Sequence, residues 1–343
     1  MQAKRLVAAL VAATPLFAAA QTNVTLYGIL DAAVSSQDTG GPEGRTTVVN
    51  SGNQSSSRFG FRGSEDLGNG LKVVFNLEAG TAIDTGAADS NLFQRRAIVG
   101  LEGDFGLVTL GREYSPIAAI AAASDAFGQG FYGSNLAAFS SSRLTRRLAN
   151  SVNYKSPSWN GLRLLAAYSA GEAQTSTTPN LSSGDLKGVG VEYTLGGLYL
   201  GGGYHTVKRL STDDDKEAAI GAGYKFDQLG GFELKGNWLQ ADRAGTPAKY
   251  KQYNIGGSMP FGAHRVYATF QQQKQGDAKG NTYALAYTYS LSKRTNLYAS
   301  YADLNNNRLG VFGITSSSVS IAPPATALGA DPKVLSLGIR HSF

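Results

Sequence analysis

Arg58, Arg62, Arg95 and Arg147, with Glu78 and Asp125, are the side chains best suited by type and spacing to act on a solute. A guanidinium stays charged at any accessible pH and carries a planar fork of donors. Several of them around confined water concentrate anions, and carboxylates across the gap add a transverse field that disfavours apolar solutes. In SRFGFRG (57–63) an extended chain puts Arg58 and Arg62 on one face and Phe59 and Phe61 on the other. In LFQRRAIVGL (92–101), taking Ile98 as apolar-facing places Arg95 and Ala97 on the polar face. Arg96 then points outward, toward a subunit contact, unless the register slips there. In RRLANSVNYK (146–155), outward Val152 and Tyr154 leave Arg147, Ser151, Asn153 and Lys155 on the polar face, with Arg146 a close rival to Arg147. Glu78 shares parity with Lys72 and Asn76, and Asp125 falls in a long insertion.

Other chemistries find little support. Covalent catalysis needs a nucleophile, a base and an orienting acid within reach, and the three histidines, His205, His264 and His341, belong to no such motif. They are expected at strand ends, in loops or on an apolar face. No catalytic residue, cofactor or metal site is expected; the acidic run at 213–215 reads as a solvated loop tip. The sequence pI is about 9.3, yet the basic residues are dispersed and match no recognition motif, so no nucleic-acid partner is expected.

Residues 1–20 carry Lys4 and Arg5, an apolar stretch broken by Pro15, and small residues at Ala18 and Ala20, the pattern of a secretory signal peptide. Its removal takes two positive charges from a net of +6, leaving +4. An exported chain with no cysteine must hold its fold without disulfides. Beyond the leader the longest aliphatic run is IAAIAAA at 117–123, far short of a membrane-spanning helix. Yet 43 glycines, 17 tyrosines and 15 phenylalanines with only 16% charged residues point to many short strands and turns.

Those strands alternate with period two. In EAAIGAGYKF (217–226) the even positions Ala218, Ile220, Ala222, Tyr224 and Phe226 are apolar, and in NTYALAYTYS (281–290) Tyr283, Leu285, Tyr287 and Tyr289 oppose small or hydroxyl residues. FELKGNWLQA (232–241) and KGVGVEYTL (187–195) behave alike. Short turns such as 64–70, 103–106 and 291–294 alternate with longer polar loops around 36–54, 81–90, 171–186, 206–216 and 305–333. About sixteen strands of this kind predict an all-β fold, a transmembrane antiparallel β-barrel filling 21–343 as one domain. A soluble β-sandwich or propeller fits less well: the polar faces have too few large aliphatics to pack a second sheet, and no 40–50-residue repeat occurs. Aromatics beside the short turns, Trp159, Phe226, Phe232, Phe261 and Tyr289, suit an interfacial girdle. At the chain's end Leu335, Leu337, Ile339 and Phe343 share the outward face and Arg340 points in.

The motifs QTNVTLYGILDAAV, SRFGFRGSEDLGNGLKVVFNLE, LFQRRAIVGLEGDFGLVTLGRE, NSVNYKSP and SLGIRHSF, in that order, resemble the general-diffusion porins of Gram-negative outer membranes, particularly the beta-proteobacterial type. The resemblance covers nearly all of the chain beyond its leader. It implies a trimeric barrel of sixteen strands, short periplasmic turns, long external loops and a third loop folded into the lumen. It also implies that the outer-membrane insertion machinery reads the terminal phenylalanine, Phe343.

The longest interruption of the pattern, 113–145, is the candidate third loop. Ser115 as N-cap and Pro116 at the first helical position predict a short helix there. Arg58, Arg95 and Arg147 match the family's positions for a basic cluster on the wall, with Arg62 nearer the periplasmic mouth. Glu78 and Asp125 are expected to oppose them. The expectation is a homotrimeric channel in the outer membrane, set among lipid and lipopolysaccharide. It would pass small hydrophilic solutes and ions passively, with a moderate preference for anions; the alternative is a channel specific for phosphate or small carboxylates on the same barrel.

Overall fold

The structure, a computed structural model, describes residues 23–171, 184–209 and 212–343. The expected leader and most of the loop expected at 171–186 lie outside the described residues. In chain order the strands are β1 (Asn23–Asp38), β2 (Arg45–Ser51), β3 (Arg58–Gly68), β4 (Leu71–Gly80), β5 (Arg96–Gly103), β6 (Gly106–Tyr114), β7 (Arg147–Lys155) and β8 (Leu162–Ser169). They continue with β9 (Leu186–Leu195), β10 (Leu198–Val207), β11 (Asp215–Phe226), β12 (Phe232–Asp242), β13 (Tyr250–Phe261), β14 (His264–Gln275), β15 (Ala278–Ser290) and β16 (Thr295–Asn306). A small hairpin, β17 (Ile314–Thr315) and β18 (Ser320–Ile321), precedes the last strand, β19 (Lys333–Ser342).

Each wall strand pairs antiparallel with its chain neighbour, and β19 closes the cylinder on β1 from Ile29 opposite Ser342 to Asp38 opposite Lys333. At the seam Gly28 and Phe343 exchange two backbone hydrogen bonds of 3.0 and 3.1 Å. β2 and β3 make one stave: β2 pairs with Ala32–Asp38 of β1, and β3 with Asn23–Ile29. The barrel therefore has sixteen strands. The segment expected as loop at 36–54 is largely strand, because β1 runs to Asp38 and β2 pairs with it.

Burial is inverted relative to a soluble protein. Leu335, Leu337 and Ile339 stand exposed on the outer face of β19, as do Tyr283 and Leu285 on β15. The fully buried set instead includes Gln252, Gln271, Gln273 and Ser336. Phe59 and Phe61 face out while Arg58 faces in, as the parity of SRFGFRG requires. In hydrocarbon every strand edge must be paired, and closure does this. The Asn69–Gly70 turn joining β3 to β4 takes positive φ at both residues, 52° and 77°, the geometry that matches hairpin twist. Rings gather near the short-turn ends: Phe226 stacks on Phe232, and His264 stacks between Phe261, Tyr287 and Tyr289. No helix among the described residues is long and apolar enough to cross a membrane.

Candidate functional site

The insertion between β6 and β7 spans residues 115–146, starting two residues later and ending one residue later than the sequence suggests. It opens as predicted: Ser115 Oγ accepts from Ala118 N at 3.2 Å, Pro116 starts the helix, and α1 (Pro116–Ala123) ends where Ser124 Oγ turns back to Ile120 O at 2.7 Å.

Two kinds of inward-facing residue seat this segment on the wall. Beneath α1, β9, β10 and β11 present Gly190, Gly201, Gly203 and Gly221. A Cβ at Gly203 would stand 2.7 Å from Ile120 Cδ1, and one at Gly221 would stand 2.3 Å from Ser124 Oγ. The missing side chains let the helix lie directly on the sheet. Farther along, Gln252 and Gln271 donate to the carbonyls of Asn135 and Ser134 at 3.0 and 2.8 Å, and Thr269 donates to that of Gly133 at 3.3 Å. These buried amides on β13 and β14 satisfy a loop backbone that would otherwise be left unpaired.

Both ends of the insertion meet one buried pair. Ile117 N donates to His205 Nε2 at 3.3 Å, His205 Nδ1 lies 3.3 Å from Glu217 Oε2, and Glu217 accepts from Thr145 N at 2.9 Å and Thr145 Oγ1 at 2.8 Å. His205 was expected at a strand end near the interface or in a loop; it is instead fully buried inside the barrel because β11 supplies a carboxylate opposite it.

On the other side of the lumen the arginines converge. Arg58, Arg62, Arg95, Arg96 and Arg146 line one cavity of about 540 Å³ together with Glu78, Tyr27, Tyr114 and the alanines Ala118, Ala119 and Ala122 of α1. Glu78 Oε1 accepts from Arg95 Nε at 2.7 Å, Glu78 Oε2 lies 3.5 Å from Arg58 Nε, and Tyr27 Oη donates to Glu78 Oε2 at 2.9 Å. Arg62 lies over the Tyr27 ring, 5.1 Å from its centroid. Arg146 Nη2 donates to Gln129 Oε1 of the insertion at 3.0 Å. Burial, with Arg147 alongside, draws the Arg146 guanidinium down to about 10, still charged at neutral pH.

Three expectations do not hold on this wall. Arg96 points inward rather than outward, toward Glu113, with Nε 3.0 Å from Glu113 Oε2. The register runs one residue away from the parity chosen for this strand: Ile98 is buried opposite Asn76, and Val99 and Leu101 face out. Arg95 also reaches the lumen because it precedes the ladder, held by its N–H to Glu78 O at 3.3 Å. Arg146, rather than Arg147, lines the cavity; Arg147 stands behind it and donates from Nη2 to Tyr114 Oη at 3.0 Å.

Neither expected carboxylate opposes the arginines. Glu78 lies among them, on β4 beside β3. Asp125 is wholly buried inside the insertion, where it accepts from the N–H groups of Phe127, Gln129 and Asn135 at 3.3, 2.8 and 3.4 Å. Burial pushes its carboxyl up to about 6. At 213–215, Asp215 is buried and paired with Arg209 and Arg243, and only Asp213 and Asp214 are exposed. Tyr114, which the sequence reading passed over, contacts Arg95, Arg146 and Arg147; its position at the end of β6, just before the insertion, was the available clue.

Known proteins share this architecture. A family profile described as Gram-negative porin matches residues 7–309. The chain is 34% identical to outer membrane porin protein 32 of Delftia acidovorans, covering 99% of each chain, and 30% identical to an outer membrane porin protein of Bordetella pertussis, covering 100% of each. Among solved structures it superposes on the anion-selective porin from Comamonas acidovorans with a TM-score of 0.81 at 29% identity, covering 94% of this chain and 100% of that one. The outer-membrane OmpT of Vibrio cholerae, 16% identical with a TM-score of 0.67, shares the fold. With a closed sixteen-strand barrel, an apolar outer face and a match along almost its whole length, the chain belongs to the Gram-negative porin family of the outer membrane.

Proposed function

We propose that this porin is a passive, moderately anion-preferring channel for small hydrophilic solutes and ions, with the arginine-lined cavity as its constriction and residues 115–146 as the loop that narrows it. The family makes the chain a channel rather than an enzyme. The observation that carries the anion preference is the charge balance at the cavity, where five arginines face two carboxylates, Glu78 among them and Glu113 paired with Arg96, so positive charge remains in excess. A gap lined by fixed cations and walled by low-dielectric material concentrates anions and excludes cations. The likeness to an anion-selective porin supports the same reading.

The barrel is further read as one protomer of a homotrimer embedded among lipid and lipopolysaccharide. Its outward strand Leu335–Leu337–Ile339–Phe343 is read as the element that the assembly machinery engages. The exposed apolar face of β19 and β1 supports a surface covered by lipid or by another copy.

Single-channel recording in planar bilayers under a potassium chloride gradient tests the channel reading. A reversal potential of the sign set by chloride is expected, shrinking toward 1 M salt as the Debye length falls to about 3 Å. A cation-preferring potential would overturn the anion reading, and a channel that passes phosphate or small carboxylates with saturating conductance while conducting almost no chloride would mark a specific channel instead. Electrophoresis of unheated detergent-solubilised protein reads the trimer.

A further inference from the structure

Arg58 and Arg95 share Glu78, whereas no carboxylate pairs with Arg146 or Arg147 among the described residues. Both Arg146 and Arg147 also have a buried Nε without a hydrogen-bond partner. What holds that half of the cluster is an uncharged side chain. Tyr114 Oη lies 3.0 Å from Arg147 Nη2 and 3.5 Å from Arg95 Nη2. The Arg147 guanidinium also lies 4.8 Å from the centre of the Tyr114 ring, and that of Arg146 lies 5.7 Å from it. Tyr114 itself is fixed from both sides: its N–H donates to Glu113 Oε1 at 2.8 Å, and it pairs with Arg147 across the β6–β7 ladder.

A carboxylate in this place would hold the guanidiniums more tightly, since it could accept two parallel N–H bonds from one fork and add the attraction of opposite charges. It would also cancel one of the charges that attract the solute. A phenol supplies a lone pair and a ring quadrupole and leaves the net charge untouched. We propose that Tyr114 is the positioning residue of the constriction, a neutral hub that anchors Arg147 behind the wall and orients the forks of the lining Arg95 and Arg146 toward permeating oxyanions without neutralising them. This rests on the anion-preferring reading above and adds to it the side chain that decides short-range geometry.

The two contributions separate in the full-length protein in planar bilayers. Tyr114→Phe keeps the formal charge and the ring but removes the oxygen, so the reversal potential in a potassium chloride gradient should stay at the wild-type value. Inhibition of the chloride current by inorganic phosphate depends on fork geometry, and its half-inhibiting concentration should rise by about threefold or more. Arg95→Lys, which keeps charge but loses the fork, should reproduce that split, and unheated electrophoresis verifies assembly of both variants. The proposal is overturned if phosphate inhibits wild type and Tyr114→Phe alike, if phosphate leaves the wild-type current unchanged, or if the variant loses phosphate inhibition and chloride preference together. A cation-preferring wild type would instead sink the underlying channel reading.

Discussion

Glu78 and Arg95 face each other at 2.7 Å on the same stretch of wall, and the second oxygen of that carboxylate lies 3.5 Å from Arg58. The carboxylate therefore damps the arginine field locally instead of setting up a field across the lumen. What stands across from the guanidiniums is the alanine face of α1.

Removing Glu78 should strengthen anion preference and removing Arg58 should weaken it. A unit charge about 4 Å from a permeating ion is worth about 1 kcal/mol in water, so each change should alter the chloride-to-potassium permeability ratio by a factor of about 2 to 5. Glu78→Gln is expected to raise the ratio and Arg58→Ala to lower it while widening the gap. Reversal potentials in 0.1 M salt read both; shifts of the same sign would contradict this placement of the two charges.

Glu217 ties the far end of the insertion to β11 through Thr145 and, through His205, faces its near end. Glu217→Gln exchanges a charged acceptor for a neutral one at a fully buried site, where hydrogen bonds to charged groups are worth about 1.5–3 kcal/mol. The variant should open to protease within 115–146 and show noisier single-channel current at unchanged average selectivity. Wild-type protease resistance would mean the insertion is held mainly by its glutamine and glycine seats.

Asp125 makes loop stability depend on pH. Its carboxyl is raised from 3.8 to about 6 by burial, so the folded loop binds the proton more tightly than the unfolded chain does. That contribution is complete below about pH 4 and is lost as pH rises through 6. Wild type should therefore gain thermal stability relative to Asp125→Asn between pH 7.5 and pH 5. Parallel melting curves for the two proteins at both pH values would remove Asp125 from the account.

Gly203 sets how closely α1 approaches the wall. In Gly203→Ala the new Cβ would crowd Ile120 Cδ1 at 2.7 Å and Ile117 Cγ2 at 3.2 Å, and overpacking of this kind typically costs about 1–3 kcal/mol. The helix should move toward the arginines, lowering single-channel conductance in 1 M salt and leaving the reversal potential unchanged. Adding Ile120→Ala should restore conductance. If the single variant conducts like wild type, the seat is not what fixes the gap.

Period two and turn chemistry are properties of neighbouring residues, so the amino-acid order alone determined the barrel. Tyr283, Leu285, Tyr287 and Tyr289 had to share a face, Phe59 and Phe61 had to oppose Arg58, and Ser115–Pro116 had to open a helix. Register and insertion packing depend on contacts across the lumen, and only the tertiary structure decided them. Ile98 is as apolar as Val99, so parity along β5 could be read either way until Asn76 and Glu78 on β4 fixed which residue turned inward and brought Arg96 with it. Asp125 looks like any loop carboxylate in sequence. Its three N–H partners lie two, four and ten residues away and come together only when the insertion folds back on itself. The apolar outside follows from local spacing, whereas the one-sided charge of the inside follows from where long-range packing buries the carboxylates.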